Sequence, residues 1–230
     1  FLSSEFSVAA QQKRPTPPTR KFDAPGSPTF VRLDAKPGLN PPLDVDGNFL
    51  IGPEYTPASE NKVGEGVPQG RVQQFTIDSK DTKLLNPGIA REVFGTVDPA
   101  NPKTLIVETH EIDYQRTITV YVPAQYQPGI EAPFMVIHDG PKGKPDMTVP
   151  HILDNLIAQK RVPAMIAIMV ANGGGDAQGH QRGKEYDTMS GLFAEYIETE
   201  VLPRVEKNCN VKLTKDPNGR AAMGSSSGGS

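Results

Sequence analysis

Gly219-Arg220-Ala221-Ala222-Met223-Gly224-Ser225-Ser226-Ser227-Gly228-Gly229 is the stretch that decides how the chain is read. Residues 224–228 fit the pattern G-x-S-x-G, in which a short strand turns sharply into a helix and lifts the central serine above the sheet edge. Glycines stand two positions to either side because strand and helix approach too closely there for a Cβ. The five letters alone would suit a flexible Gly/Ser linker equally well. The small-residue run Arg220 to Met223 feeds directly into them, as a strand would, and favours the turn.

Upstream, the pattern supplies the units such a turn needs. Ala132 to His138 and Ala164 to Val170 are apolar runs suited to strands buried on both faces. Between them, Val149 to Lys160 places Ile152, Leu153, Leu156 and Ile157 at helical spacing. Thr188 to Lys207 repeats that spacing with Leu192, Phe193, Tyr196, Ile197 and Val201, and Pro203 is expected to bend its last turn. Strand, helix, strand, helix, strand implies parallel strands joined by crossovers. Before them, a strand is expected from Arg71, through Val72, Phe75 and Ile77. Thr104–Glu108 and Thr117–Val122 read as two β-branched strands joined by a polar turn, an antiparallel hairpin at the entrance to the sheet.

Residues 11 to about 70 carry Pro15, Pro17, Pro18, Pro25, Pro28, Pro37, Pro41, Pro42, Pro53 and Pro57, which excludes long helices and interior strands. The expected organisation is an arm over residues 1–70 and an α/β domain over residues 71–230. Asp44-Val45-Asp46-Gly47-Asn48 lacks the spaced oxygens of a calcium loop and reads as a turn. Ser7-Val8-Ala9-Ala10 resembles the end of a secretory signal, so residues 1–10 suggest a secreted or periplasmic protein; Glu5 argues against that and leaves a cytoplasmic one.

Composition narrows the function. With 24 Lys+Arg against 27 Asp+Glu, net −3 over 230 residues, and no basic block, nothing favours nucleic acid or an anionic membrane. The run Ala164 to Ala171 is far too short to span a bilayer. Cys209, the single cysteine, excludes an intrachain disulfide and reads as a bystander thiol.

Several segments together resemble the esterase branch of the α/β-hydrolases that includes esterase D, enterochelin esterase and feruloyl esterase relatives. They are Thr119 to Pro123, Phe134 to Gly140, Arg182 to Tyr186, Glu200 to Glu206 and Gly219 to Gly229. The resemblance covers about residues 70–230. It implies a mostly parallel α/β-hydrolase sheet and a serine-dependent carboxylic ester hydrolase acting through an acyl-enzyme on a small-molecule or carbohydrate ester. It implies no cofactor and no metal. Ser226 is then the nucleophile, with oxyanion donors at the N–H of Ser227 and in the turn at Asp139 and Gly140; Pro141 has no N–H to offer. Arg182 and Glu185 are the pair expected to staple a loop beneath the site, although a solvated ion pair explains them equally well. The glycines from Gly173 to Gly179 fit either a mobile rim or a plain turn.

The family order is Ser, then Asp or Glu, then His. His110, His138, His151 and His180 all precede Ser226. His138 ends a buried strand and could approach the oxyanion side, and His180 is the expected exposed histidine. The acid and base are therefore expected on a longer polypeptide, with residues 1–230 alone incomplete and inactive. An acyltransferase, or a binding module without catalysis, would use the same scaffold.

Overall fold

The computed structural model describes residues 30–34, 48–52, 56–92, 95–176 and 178–229. The expected signal remnant at 1–10 and the turn at Asp44–Gly47 lie outside them. Two compact units are separated between Pro57 and Ala58. In the first, β1 (Phe30–Asp34) pairs in parallel with β2 (Asn48–Gly52). The prolines of the segment flank these runs without entering them, so the ladder forms where every residue can donate an N–H.

The second unit is built on a five-stranded sheet. Its elements in chain order are β3 (Arg71–Asp78), the hairpin strands β4 (Gly88–Arg91), β5 (Thr96–Asp98), β6 (Asn101–Ile106) and β7 (Thr109–Ile112), then β8 (Gln115–Val122), β9 (Glu131–Ala132) and β10 (Phe134–His138). There follow α1 (Thr148–Ala158), β11 (Ile166–Val170), α2 (Gln181–Tyr186), α3 (Leu192–Tyr196), α4 (Leu202–Cys209), β12 (Lys212–Leu213) and β13 (Arg220–Met223). The sheet order is β13-β10-β11-β8-β3. β10 is parallel to both β11 and β13, whereas β8 is antiparallel to both β11 and β3. The sheet is therefore mixed, two parallel pairs and two antiparallel, rather than mostly parallel.

The entrance hairpin takes a different partner from the expected one. β8 pairs over its full length with β3, Arg71 opposite Val122 and Asp78 opposite Gln115. β6 pairs with β5, and β7 with β4, in two-stranded ladders outside the main sheet. β6 is largely exposed while β8 is buried from Arg116 to Val122 apart from half-buried Thr117, so only β8 has the apolar faces a central strand needs.

Helices cover both faces. Ile166, Ile168 and Val170 of β11 join Phe134, Val136, Tyr196, Val201 and Val205 in one core, against α3 and α4. Ala167 and Met169 point the other way and pack with Tyr121, Ile137, Leu153 and Ile157 against α1. Each buried strand thus divides its side chains between two layers with period two.

The expected long helix from Thr188 to Lys207 is three pieces: α3, a wide π turn over Ile197–Val201, and α4. Pro203 sits in the first turn of α4, where its missing N–H costs little. A regular α turn would drive its ring against the carbonyl of Thr199, and the widened turn avoids that clash.

The chain leaves β10 through α1 to reach β11, then returns through α2–α4 to β13 on the other side of β10. Strand order reverses about β10, and in open α/β sheets ligands bind outside the carboxyl ends of the strands at such a reversal. Those ends carry His138-Asp139-Gly140 and Gly224-Ser225-Ser226.

Candidate active site

β13 ends at Met223, opposite Ile137 of β10. The chain then turns through Gly224 and Ser225 into a single 3-10 turn, Ser226–Gly229. Ser226 has φ of 54°, in the left-handed region, and its side chain is exposed. A non-glycine residue there costs on the order of 1–2 kcal/mol, and such a conformation persists only where its surroundings over-determine it.

Those surroundings are specific. A Cβ on Gly224 would lie 1.7 Å from the carbonyl oxygen of Gly228, so strand end and helical turn meet backbone to backbone. The N–H of Gly228 donates to the Ser225 carbonyl at 3.0 Å. A Cβ on Gly228 would stand 3.0 Å from Oδ2 of Asp139 and 3.3 Å from Cβ of His138. Gly224 is required by a backbone contact, whereas Gly228 is only closely packed, against side chains at the end of β10.

Asp139 has φ of 56°. Its carboxylate receives a forked bond from Arg182, Nε to Oδ1 at 2.9 Å and Nη2 to Oδ2 at 2.7 Å, and a further bond from Asn172 Nδ2 at 2.6 Å. The Arg182 guanidinium, with help from Asn172, holds the Asp139 carboxyl below its ordinary range against the opposing effect of burial. Arg182 also donates through Nη1 to the Asp176 carbonyl at 2.6 Å, tying the loop after β11 to the turn after β10.

Two expectations are corrected here. Arg182 and Glu185 do not pair with each other. Arg182 pairs with Asp139, whereas Glu185 is wholly buried against Arg116 of β8. Both residues lie on α2, but Arg182 is taken up by the Asp139 carboxylate in the turn after β10 and Glu185 by the buried Arg116 guanidinium in the core. Glu185 also accepts from the Gly173 N–H at 3.2 Å and from Gln181 Nε2 at 2.9 Å, while Arg116 Nη1 donates to the Ala171 carbonyl at 2.6 Å. This network holds both ends of the loop from 171 to 181. Ala177 of that loop lies outside the described residues.

The second correction concerns the donors at Asp139 and Gly140. The Gly140 N–H donates to the Val170 carbonyl at 2.9 Å, continuing the β10–β11 ladder one step beyond the pair His138–Val170. β11 and β13 lie on opposite sides of β10, so that N–H points away from the strand that delivers Ser226. A Cβ at Gly140 would be 2.6 Å from the Met169 backbone, and glycine is needed there for this approach. The Asp139 N–H donates to the Tyr186 hydroxyl at 3.2 Å. Neither amide faces the serine as an oxyanion donor. Ser227 lies in the 3-10 turn beside Ser226, half-buried.

His138 is the residue whose place the sequence only hinted at. Its Nδ1 lies 2.6 Å from the Gly228 carbonyl oxygen. The ring stacks on Tyr186, with centroids 5.3 Å apart and 16° between planes, and meets Phe193 edge-on at 5.4 Å. A groove of about 670 Å³ runs beside these rings, lined by Val136, His138, Tyr186, Met189, Phe193 and Ala222. His180 is not the exposed histidine expected: its side chain is 22% accessible against 49% for His110, and burial followed by the nearby Arg91 lowers its pKa. Cys209 is buried at the end of α4 and burial raises its thiol pKa, in keeping with a bystander. Among the described residues there is no group of acids, histidines or cysteines able to hold a metal, and no helix long and apolar enough to cross a membrane.

The "Putative esterase" family model matches residues 109–230, more than half of the chain. The chain belongs to this esterase family. No curated protein matches it. Among solved structures, it is similar to a ferulic acid esterase from the anaerobic fungus Anaeromyces mucronatus, with 16% identity and a TM-score of 0.47, covering 75% of this chain and 56% of that one. It is also similar to the feruloyl esterase module of Clostridium thermocellum, with 16% identity and a TM-score of 0.42 over 76% and 51% of the two chains. For the enterochelin esterase of Shigella flexneri the values are 18% and 0.41, over 50% and 27%. The esterase chain spans about half the length of the feruloyl esterases it matches.

Proposed function

We propose that this esterase-family chain supplies the nucleophile of a serine-dependent carboxylic ester hydrolase, with Ser226 as the attacking group. The observation that carries the reading is the left-handed backbone of an exposed Ser226, enforced by the Gly224–Gly228 contact at the carboxyl end of a parallel strand. A strained residue at that place is the geometry a nucleophile elbow requires.

In this mechanism the Ser226 hydroxyl oxygen bonds to the ester carbonyl carbon and its proton passes to a histidine acting as general base. The tetrahedral oxyanion collapses, the alcohol leaves with that proton, and water releases the acid from the acyl-serine. Ser227 N–H is the proposed oxyanion donor from this chain. The substrate class is a carboxylic ester, with phenolic, siderophore and carbohydrate esters as the candidates to screen.

The test uses the full-length protein, a fluorophosphonate probe and a p-nitrophenyl ester. Ser226 is expected to take the label, and Ser226→Ala to lose the label and at least about 10³-fold in kcat. Labelling or hydrolysis that survives in the alanine variant rejects the assignment. Added acceptor alcohols that divert the acyl group from water would identify acyl transfer instead of hydrolysis.

A further inference from the structure

We propose that His138 is a positioning residue for the nucleophile: its imidazole, at the end of β10, holds the helical turn that follows Ser226 in place. This rests on the reading of Ser226 as the nucleophile.

The argument starts from the hydrogen bond. The Gly228 carbonyl can only accept, so at 2.6 Å the Nδ1 of His138 must carry the proton. In the neutral ring, Nε2 is then the acceptor. Gly228 is not an arbitrary anchor. Its carbonyl oxygen is the atom that a Cβ on Gly224 would strike, so it marks the point where the two arms of the turn touch. A ring that fixes this carbonyl fixes the separation of the arms, and with it the dihedral angles of the serine between them.

The ring is itself held. Tyr186 stacks on one face and Phe193 meets it edge-on. Tyr186 also receives the Asp139 N–H, so the residue after His138 is held by the same phenol. The bond thus joins a strand, two helices and the nucleophile turn. A left-handed serine relaxes when its surroundings loosen, and a displacement of about 1 Å at a reacting group can cost on the order of 10²-fold in rate.

Three variants of the full-length protein and one spectrum test this. His138→Phe keeps a ring for the stack and removes the donor. His138→Asn places an amide N–H close to where Nδ1 stood. Labelling of Ser226 by the fluorophosphonate and kcat for a p-nitrophenyl ester are expected to fall about tenfold or more in H138F, with KM within about twofold. H138N should recover to within about threefold of the unaltered protein. A residue that served folding alone would not separate kcat from KM in this way, nor be rescued by a smaller donor.

If Ser226→Ala is silent and H138F is labelled at the unaltered rate, the positioning role is overturned and the serine reading stands. If Ser226→Ala is still labelled, both fall. The nitrogen-15 spectrum of the imidazole in the unaltered protein decides the matter even if H138F does not fold. A proton on Nδ1 supports the proposal, and a proton on Nε2 alone overturns it.

Discussion

Ser226 carries a conformational cost that the rest of the turn must offset, and that cost is measurable apart from catalysis. Glycine adopts the left-handed region without penalty but loses more entropy on folding, whereas alanine keeps the strain. Ser226→Gly should therefore be more stable than Ser226→Ala by about 0.5–1 kcal/mol in urea unfolding, both being unlabelled by the probe. Equal stability, or a more stable alanine variant, would mean the backbone is not held at positive φ. Asp139 offers a second residue-scale test. Its carboxyl is held low by Arg182, so it stabilises the folded state fully above about pH 4 and loses that contribution as pH falls through the depressed folded value. Asp139→Asn should cost about 1–2 kcal/mol at pH 7, and the difference from the unaltered protein should shrink below pH 4. A difference that is constant down to pH 3 would show that the ion pair contributes nothing to stability.

Among the elements, α1 shows how a correct helix can still be misread. Its apolar positions predict the helix, and Leu153 and Ile157 do enter the core. Periodicity gives no sign that Asp154 and Asn155 are buried as well, at 2% and 4% accessibility. Asp154 accepts from the Gly70 N–H at 2.8 Å and from the Tyr121 hydroxyl at 2.7 Å. Asn155 accepts from the Gly64 N–H at 2.9 Å and donates to the Lys62 carbonyl at 2.8 Å. Residues 58–70 are thereby bound to α1 and fall within the second compact unit, although their composition resembles the arm before them. Asp154→Ala leaves two donors without an acceptor and should cost about 2–3 kcal/mol in urea unfolding. A cost under about 0.5 kcal/mol, the size of an ordinary surface substitution, would mean the carboxylate is solvated. The same contrast explains the hairpin. β-branched runs mark where strands lie, but the partner is chosen by which faces are buried, and that depends on residues far away in the chain. The serine motif is legible only together with the strand-like run Arg220 to Met223 before it, and both belong to one local turn in which Gly224 meets Gly228. The contact of His138 with Gly228 spans 90 residues and leaves no local pattern.

For the second unit as a whole, the Arg116–Glu185 pair joins β8, α2 and the loop after β11. Both side chains are fully buried. Arg116 comes from β8, Glu185 from α2, and the guanidinium also bonds the Ala171 carbonyl after β11. It lies 5.0 Å from the ring centroid of Tyr196, 5.3 Å from Tyr114 and 5.8 Å from Phe193. Burial alone would lower the Arg116 pKa, and the adjacent carboxylate more than restores it, so the guanidinium keeps its charge. Burying two charges is expensive, and the attraction between them does little more than offset that cost. What the pair does supply is a penalty for any arrangement that separates its members, which couples the sheet, the aromatic cluster around His138 and the loop ends at Gly173 and Gln181. Arg116→Met should therefore cost about 3–5 kcal/mol, a large part of a typical domain's stability, because Glu185 loses its one cationic partner in the core and keeps only the Gly173 N–H and Gln181 as donors. Adding Glu185→Gln should recover part of the loss: a neutral amide oxygen still accepts from the Gly173 N–H and carries no charge to desolvate. Urea unfolding of the single and double variants distinguishes the causes. If the double variant is no more stable than Arg116→Met alone, the loss comes from packing around the rings and not from the stranded charge.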